Sequence, residues 1–268
     1  MMMTAYPFSV PDDEFRGKRV LVTGGTRGMG AAMLRRFQLS GARVATTARS
    51  ALSKDQTPDL FIQADLSTAA GVAAVVEHIE REWDGLDILV NNAGGTETKP
   101  GGFEALSDED WLGVLNLNLM AAVRLDRAFV PGMAARRSGV VIHISSIAYR
   151  LPFGNSVLAY AAAKAALRSY GKGLSKSVAA SGVRVAMISP GFIETSGAKG
   201  MIEEISAQEG IDQDAARQRI LDMIGGVPLG RTGRPAEVAE LVAFIASERG
   251  GFITGTDYVI DGGTLPTI

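Results

Sequence analysis

The sequence predicts an α/β fold in which a doubly wound parallel sheet carries helices on both faces. Three observations support this. Short apolar runs alternate with amphipathic stretches from residue 18 to residue 260. The first run opens into a glycine-rich turn, Thr23-Gly-Gly-Thr-Arg-Gly-Met-Gly30, and a helical pattern follows at once. Neighbouring parallel strands need crossovers, and right-handed crossovers favour winding such a sheet in both directions.

Lys18–Thr23 is an apolar run that stops at glycine, the pattern of a buried strand. Ala31–Gln38 has helical spacing, with Met33, Leu34 and Phe37 apolar. Gly41–Thr47 and Leu60–Ala64 read as the next two strands. Ala69–Glu82 is helical, with Val72, Val75, Val76 and Ile79 on one face. Leu86–Val90 is a strand, Asp108–Arg137 one long helix, and Gly139–Ser145 another strand. A helix spans Leu158–Ala180 and a strand Val183–Ser189. Pro235–Ser247 is a helix with proline in its first turn, and Tyr258–Ile260 is a short last strand. Together these make a seven-stranded sheet of the Rossmann type. Ser196–Gly226 stands outside the alternation, with helical pieces around Met201–Gln208 and Asp212–Ile224. An insertion of that size between a strand and a helix is more often functional than filler.

Composition removes several classes of function. The 268 residues carry a net charge of −2, which leaves no basic footprint for nucleic acid. There is no Cys, so disulfides, thiolate metal sites and a Cys nucleophile are excluded. His78 and His143 are the only histidines, and no metal site is expected. The most apolar stretches, such as Val157–Leu167 with its Lys164, are broken by Lys or Arg well short of the ~20 residues of a membrane span. Met1–Phe15 carries Asp12, Asp13 and Glu14 and no Lys or Arg, unlike a secretory signal. The expectation is a cytoplasmic protein with no membrane partner.

The glycine turn has the spacing G-x-x-x-G-x-G at Gly24, Gly28 and Gly30. Small residues let backbone approach a pyrophosphate, and the helix N-terminus offers free N–H groups. Asn91-Asn-Ala-Gly94 ends the fourth strand, where a doubly wound sheet binds its ligand. Ala93 and Gly94 leave room for a cofactor, and the asparagines can tie strand ends together.

Tyr160 and Lys164 stand four apart at the start of a helix, hence on one face. An ammonium beside a phenol favours the phenolate and lowers its pKa. Ser145-Ser146 ends the fifth strand, where a hydroxyl can bond a substrate oxygen that Tyr160 also touches. Asn118, in Val114-Leu-Asn-Leu-Asn-Leu119, is an amide on an apolar stretch that needs buried partners. Periodicity does not separate it from Asn116.

With these residues in order, the chain resembles the short-chain dehydrogenase/reductase family in its shorter, non-extended form. The motifs are Thr23–Gly30, Asp65, Asn91–Gly94, Asn118, Ser146, Tyr160 with Lys164, Pro190-Gly191 with Thr195, Arg231–Pro235 and Asp261-Gly-Gly263. They run from about Gly17 to Gly263. The resemblance implies a seven-stranded parallel sheet with three helices on each face. It implies Tyr160 as general acid/base, Lys164 as its partner and ribose ligand, Ser146 as the group that orients the substrate oxygen, and Asn118 as support for a proton relay. It further implies cofactor contacts from Asp65, Leu66, Asn92, Ala93, Gly94, Pro190, Gly191, Ile193 and Thr195, beside Gly24, Thr26, Arg27, Gly28, Met29 and Gly30 of the glycine turn. A homotetramer is also implied. The gap from Ser146 to Tyr160 is one residue longer than the family's pattern, which alters the loop Tyr149–Ser156 and leaves Ser145 open beside Ser146.

The reading is an oxidoreductase that moves hydride between a nicotinamide and a carbonyl or secondary-alcohol carbon, and a ketone reductase in particular. NADP(H) is expected over NAD(H). An NAD-specific site places an acid at the end of the second strand, and that slot here holds Ala48, with Arg49 next and Arg27 in the glycine turn. A guanidinium matches a phosphate. The rivals are a non-catalytic nicotinamide-binding sensor, an NAD-dependent alcohol dehydrogenase and an extended-type epimerase. The domain expectation is an N-terminal extension, 1–16, and one dinucleotide-binding and catalytic domain, 17–268. Residues 196–226 form its substrate lid, and apolar Met201, Ile202, Ile205, Ile220, Leu221, Met223 and Ile224 favour a substrate with an apolar body.

Overall fold

The computed structural model describes residues 6–52, 56–95, 103–152 and 157–267. The strands are β1 (Arg19–Thr23), β2 (Arg43–Ala48), β3 (Leu60–Gln63), β4 (Ile88–Asn91), β5 (Gly139–Ile144), β6 (Val183–Pro190) and β7 (Asp257–Ile260). They form one sheet in the order 3-2-1-4-5-6-7, and every pairing is parallel. The winding reverses between β1 and β4, which lie side by side with Val20–Val22 opposite Ile88–Val90. A crevice opens at the carboxyl ends of strands where their order reverses.

The helices are α1 (Gly28–Leu39), α2 (Ala69–Trp83), α3 (Asp108–Leu115), α4 (Ala121–Ala135), α5 (Leu158–Val178), α6 (Ser196–Glu209), α7 (Gln213–Met223) and α8 (Pro235–Ala246). The pleat sorts β1: Val20 and Val22 join Met33, Phe37, Val238 and Val242 of α1 and α8, while Leu21 joins Val75, Ile79, Leu125 and Phe129 of α2 and α4. Each fully buried side chain of this size stabilises the fold by about 1.5–3 kcal/mol. Among the described residues the second face carries α2, α4 and α5, and the first carries α1 and α8. The implied third helix of that face has no counterpart in the described part of the β2–β3 connection.

The expected single helix Asp108–Arg137 is three pieces. Ser107 caps α3 with a capping box to Asp110. A π-helical turn, Asn116–Met120, then separates α3 from α4. Such turns are often found at functional sites.

Residues 6–16 pack along α1 and α8. Phe15 is buried edge-on against Phe37, with ring centroids 4.8 Å apart. Arg36, 1% exposed, donates to Glu14 at 2.6 Å and Glu240 at 2.8 Å, and to Ser40. Glu14 also pairs with Arg249, and the Tyr6 hydroxyl reaches Glu240 at 2.7 Å.

Candidate active site

The glycine turn lies over the β1–β4 reversal. Gly28 has φ of +57°, a conformation that favours glycine, and a Cβ there would come within 3.1 Å of Thr195 Cγ2. Thr195 precedes α6, so the loops after β1 and β6 face each other across a narrow gap. Arg27 opens α1 without a side-chain cap. The first amides of α1 are therefore available to an anion. These features fit a dinucleotide's pyrophosphate.

Two threonines build this cradle: Thr23, which opens the glycine motif, and Thr46, which the sequence reading did not single out. Thr23 Oγ1 accepts from the amides of Asn92 and Ala93, both at 2.9 Å, and donates to Val90 O at 3.3 Å. Thr46 Oγ1 accepts from Gly25 N at 2.8 Å and donates to Val22 O at 2.7 Å. A hydroxyl inside an otherwise apolar strand run was the available signal. Asn92 Nδ2 donates to Thr23 O at 2.8 Å. Its neighbour Asn91 is turned inward and donates to Asp126 at 2.9 Å.

Asn118 is the buried asparagine of its pair. Its Nδ2 donates to Gly95 O and Val114 O, both at 3.0 Å, and its Oδ1 accepts from Gly95 N at 3.1 Å. Asn116 instead accepts from Arg124. A Cβ on Gly94 would lie 2.7 Å from Asn118 Oδ1 and 3.2 Å from Lys164 Nζ, so both groups converge on this glycine.

The two serines also part. Ser145 is buried and donates to Lys164 O at 3.3 Å. Ser146 caps a single 3₁₀ turn, Ile147–Tyr149, and accepts from Ala148 N at 3.2 Å. It stands next to the Tyr160 hydroxyl. Burial raises the Tyr160 phenol above its ordinary value, and a hydrogen bond with Ser146 works against that rise. Lys164 is 3% exposed, its Nζ 5.5 Å from the Tyr160 ring centroid and 2.8 Å from Ile144 O. Burial lowers its pKa from 10.5 to about 8. For the Tyr160 phenol, desolvation is the larger effect and the Ser146 bond the smaller.

Pro190 ends β6, and Gly191 N bonds Ile260 O at 2.9 Å. Ile193 pairs with Gly233 in an isolated bridge. Thr195 caps α6 through Ala198 N at 3.2 Å. Glu194 accepts from Arg217 of α7 at 3.1 Å and from Thr232 at 2.9 Å, which fastens the α6–α7 segment to the β6 loop. Ile202, Ala216 and Ile220 pack α6 on α7. At the carboxyl end of β2, Ala48 closes the strand with no carboxylate, and Arg27 and Arg49 are exposed. Asp65 is exposed, accepts from the amide and hydroxyl of Ser67, and is held below the usual carboxylate range by those bonds, with a smaller pull from Arg49. Leu66 is buried in the core. Thr26, on the glycine turn, accepts from Gln56 at 2.8 Å. Met29 packs on the α1 core. A cavity of about 760 Å³ lies beyond Glu194 and is lined by Arg35, Lys199, Arg231 and Arg234, but by none of Ser146, Tyr160 and Lys164.

The chain is similar to known proteins over nearly all of its length. A family model described as Enoyl-(Acyl carrier protein) reductase matches residues 24–264. The 3-oxoacyl-[acyl-carrier-protein] reductase FabG of Escherichia coli (strain K12) is 34% identical over 255 residues, covering 93% of this chain and 98% of that protein. The L-sorbose reductase of Gluconobacter frateurii, solved with NADPH and L-sorbose, superposes with a TM-score of 0.88 at 34% identity, over 96% of this chain and 100% of that one. A structure described as a short chain dehydrogenase/reductase family protein gives a TM-score of 0.77 at 30% identity, over 93% and 97%. With a family model matched over most of its length and relatives 34% identical across nearly all of it, the chain belongs to the short-chain dehydrogenase/reductase family of oxidoreductases.

Proposed function

We propose that this chain is an NADP(H)-dependent ketone reductase in which Tyr160 is the general acid. The observation that carries this is the meeting of Ser146 and Tyr160 at one point, with Lys164 against the tyrosine ring. The glycine turn, Asn92–Gly94, Pro190, Gly191, Ile193 and Thr195 hold the dinucleotide, and Leu66 and Asp65 border its adenine. Bound there, the nicotinamide supplies the hydride. Ser146 and Tyr160 donate to the substrate oxygen as negative charge builds on it. A phenol raised by burial keeps its proton at neutral pH, which suits a donor in the reductive direction. The proton leaves the Tyr160 hydroxyl, and the Lys164 ammonium stabilises the phenolate left behind. Asn118, facing Lys164 across Gly94, orders the path by which that proton is replaced.

The preference for NADP(H) is supported by Ala48, Arg49 and Arg27 at the adenosine end. The sorbose reductase bound to NADPH supports it too. The segment 196–226 serves as lid within the catalytic domain 17–268, over a substrate with an apolar body. Ligand-dependent protection of this segment from protease checks the lid. Of the N-terminal extension 1–16, the described residues 6–16 serve as a strap on that domain. The protein works in the cytoplasm as a homotetramer, using half-exposed Leu119 and Val123 and the exposed Phe244 and Val259. A monomer mass by solution scattering would refute the assembly. The test of function is cofactor turnover against a panel of ketones and secondary alcohols. NADPH oxidation by ketones is expected. No turnover on the panel, or a preference for NADH, would overturn the reading.

A further inference from the structure

Asp257 begins β7, at the edge of the sheet, yet its side chain is only 4% exposed. Three elements converge on it. The Tyr149 hydroxyl donates to its Oδ2 at 2.7 Å. Arg168 Nε donates to the same oxygen at 3.0 Å. Ser189 Oγ donates to its Oδ1 at 2.7 Å. The Arg168 guanidinium also lies over the Tyr149 ring, 4.8 Å from its centroid. Burial and then the bond to Asp257 raise the Tyr149 phenol, so it stays a donor.

Each donor belongs to a segment that carries a group of the candidate site. Tyr149 ends the 3₁₀ turn that Ser146 caps. Arg168 follows Tyr160 and Lys164 at four-residue steps, on the same face of α5. Ser189 precedes Pro190 and Gly191 at the end of β6. A carboxylate accepts several hydrogen bonds at once, and bonds to a charged acceptor are about twice as strong as neutral ones.

We propose that Asp257 is a positioning residue of the reaction: it locks the Ser146 turn, the Tyr160 helix and the β6 terminus into one geometry. This rests on the reading that Ser146 and Tyr160 act on one substrate oxygen. Asp257 bonds Tyr149, Arg168 and Ser189 and neither Ser146 nor Tyr160. Its effect passes through Tyr149 to the serine and through Arg168 to the helix. Small displacements of reacting groups cost rate steeply, because the hydroxyls must meet one oxygen atom.

The test compares Asp257→Asn and Tyr149→Phe with Asp87→Asn, all in the full chain. Asp87 binds Arg19 through three bonds, at 2.8, 2.9 and 3.0 Å, at the opposite end of the strands. Its loss controls for a purely structural effect. Both site variants are expected to lower kcat roughly tenfold to a hundredfold, with unchanged NADPH affinity. Both should also speed hydrogen exchange at the Ala148 and Tyr149 amides, which bond Ser146. Asp87→Asn should leave kcat and those amides as in the parent. Parental kcat and exchange in both site variants would overturn the proposal, as would Asp87→Asn reproducing both changes. Tyr149→Phe removes one hydroxyl only and keeps the test valid if Asp257→Asn fails to fold. If the parent reduces no carbonyl, the functional reading falls, and the exchange measurement still decides the role of Asp257.

Discussion

Asn118 and Gly95 exchange two hydrogen bonds, side chain to backbone in both directions, at 3.0 and 3.1 Å. The amide thereby pins the loop after β4 to the π-helical turn. Asn118→Ala leaves a half-buried N–H and C=O of Gly95 without that partner, a cost of about 1–3 kcal/mol. A lowered denaturation midpoint and a loss of turnover are expected. A parental midpoint would show that the loop does not depend on this pair.

Tyr160→Phe keeps the ring and removes the proton. Turnover should fall by roughly a hundredfold to ten-thousandfold, the usual scale for a general acid. Cofactor affinity, measured by fluorescence quenching, should hardly change. Retained turnover would sink the assigned role of Tyr160.

Lys164 sets a pH dependence. Its pKa of about 8 means that the ammonium is lost as pH rises through that value, and kcat/KM for reduction should decline with it. The unfolded chain holds this proton up to its ordinary 10.5, so between about 8 and 10.5 the unfolded state binds more protons. This group's contribution to stability therefore rises with pH across that window. Lys164→Met should remove both trends, read as the pH profile of kcat/KM and denaturant midpoints at the two ends of the window. A parent profile flat across the window would contradict the shift.

Cofactor choice is read by the ratio of kcat/KM with NADPH and NADH. Ala48→Asp with Arg49→Ala adds a carboxylate at the end of β2 and removes a guanidinium beside it. One charge-assisted bond is worth about 1.5–3 kcal/mol, so the ratio should fall at least about tenfold. An unchanged ratio would mean that these positions do not read the phosphate.

The strands and the glycine turn were legible because their signals are local: apolar runs, and glycine at fixed spacing before a helix. Asn118 could not be told from Asn116 by period, because the π-helical turn at Asn116–Met120 breaks the regular α-helical repeat in that segment. Ser145 and Ser146 differ only in the direction their side chains take from the end of β5, which neighbouring elements decide. Ser145 turns to the α5 backbone and Ser146 to Tyr160. The upward push on the Tyr160 phenol is not legible in the sequence, because burial is a property of the packed whole. Phe15 gave no signal either, since a single aromatic in an acidic stretch has no period.

The strap over α1 makes residues 14–36 wait for partners more than two hundred positions later. Phe15 and Glu14 leave the ribosome with α1, but Glu240 and Arg249 follow only after most of the sheet has been translated. Until then the Arg36 guanidinium has Glu14 alone as its carboxylate partner among the described residues. Contacts spanning more than two hundred residues close slowly, since the chain must first give up the entropy of so long a loop. The strap should therefore be among the last parts to settle as a nascent chain matures, and a chain stalled before residue 240 would hold Phe15 beneath only half of its roof.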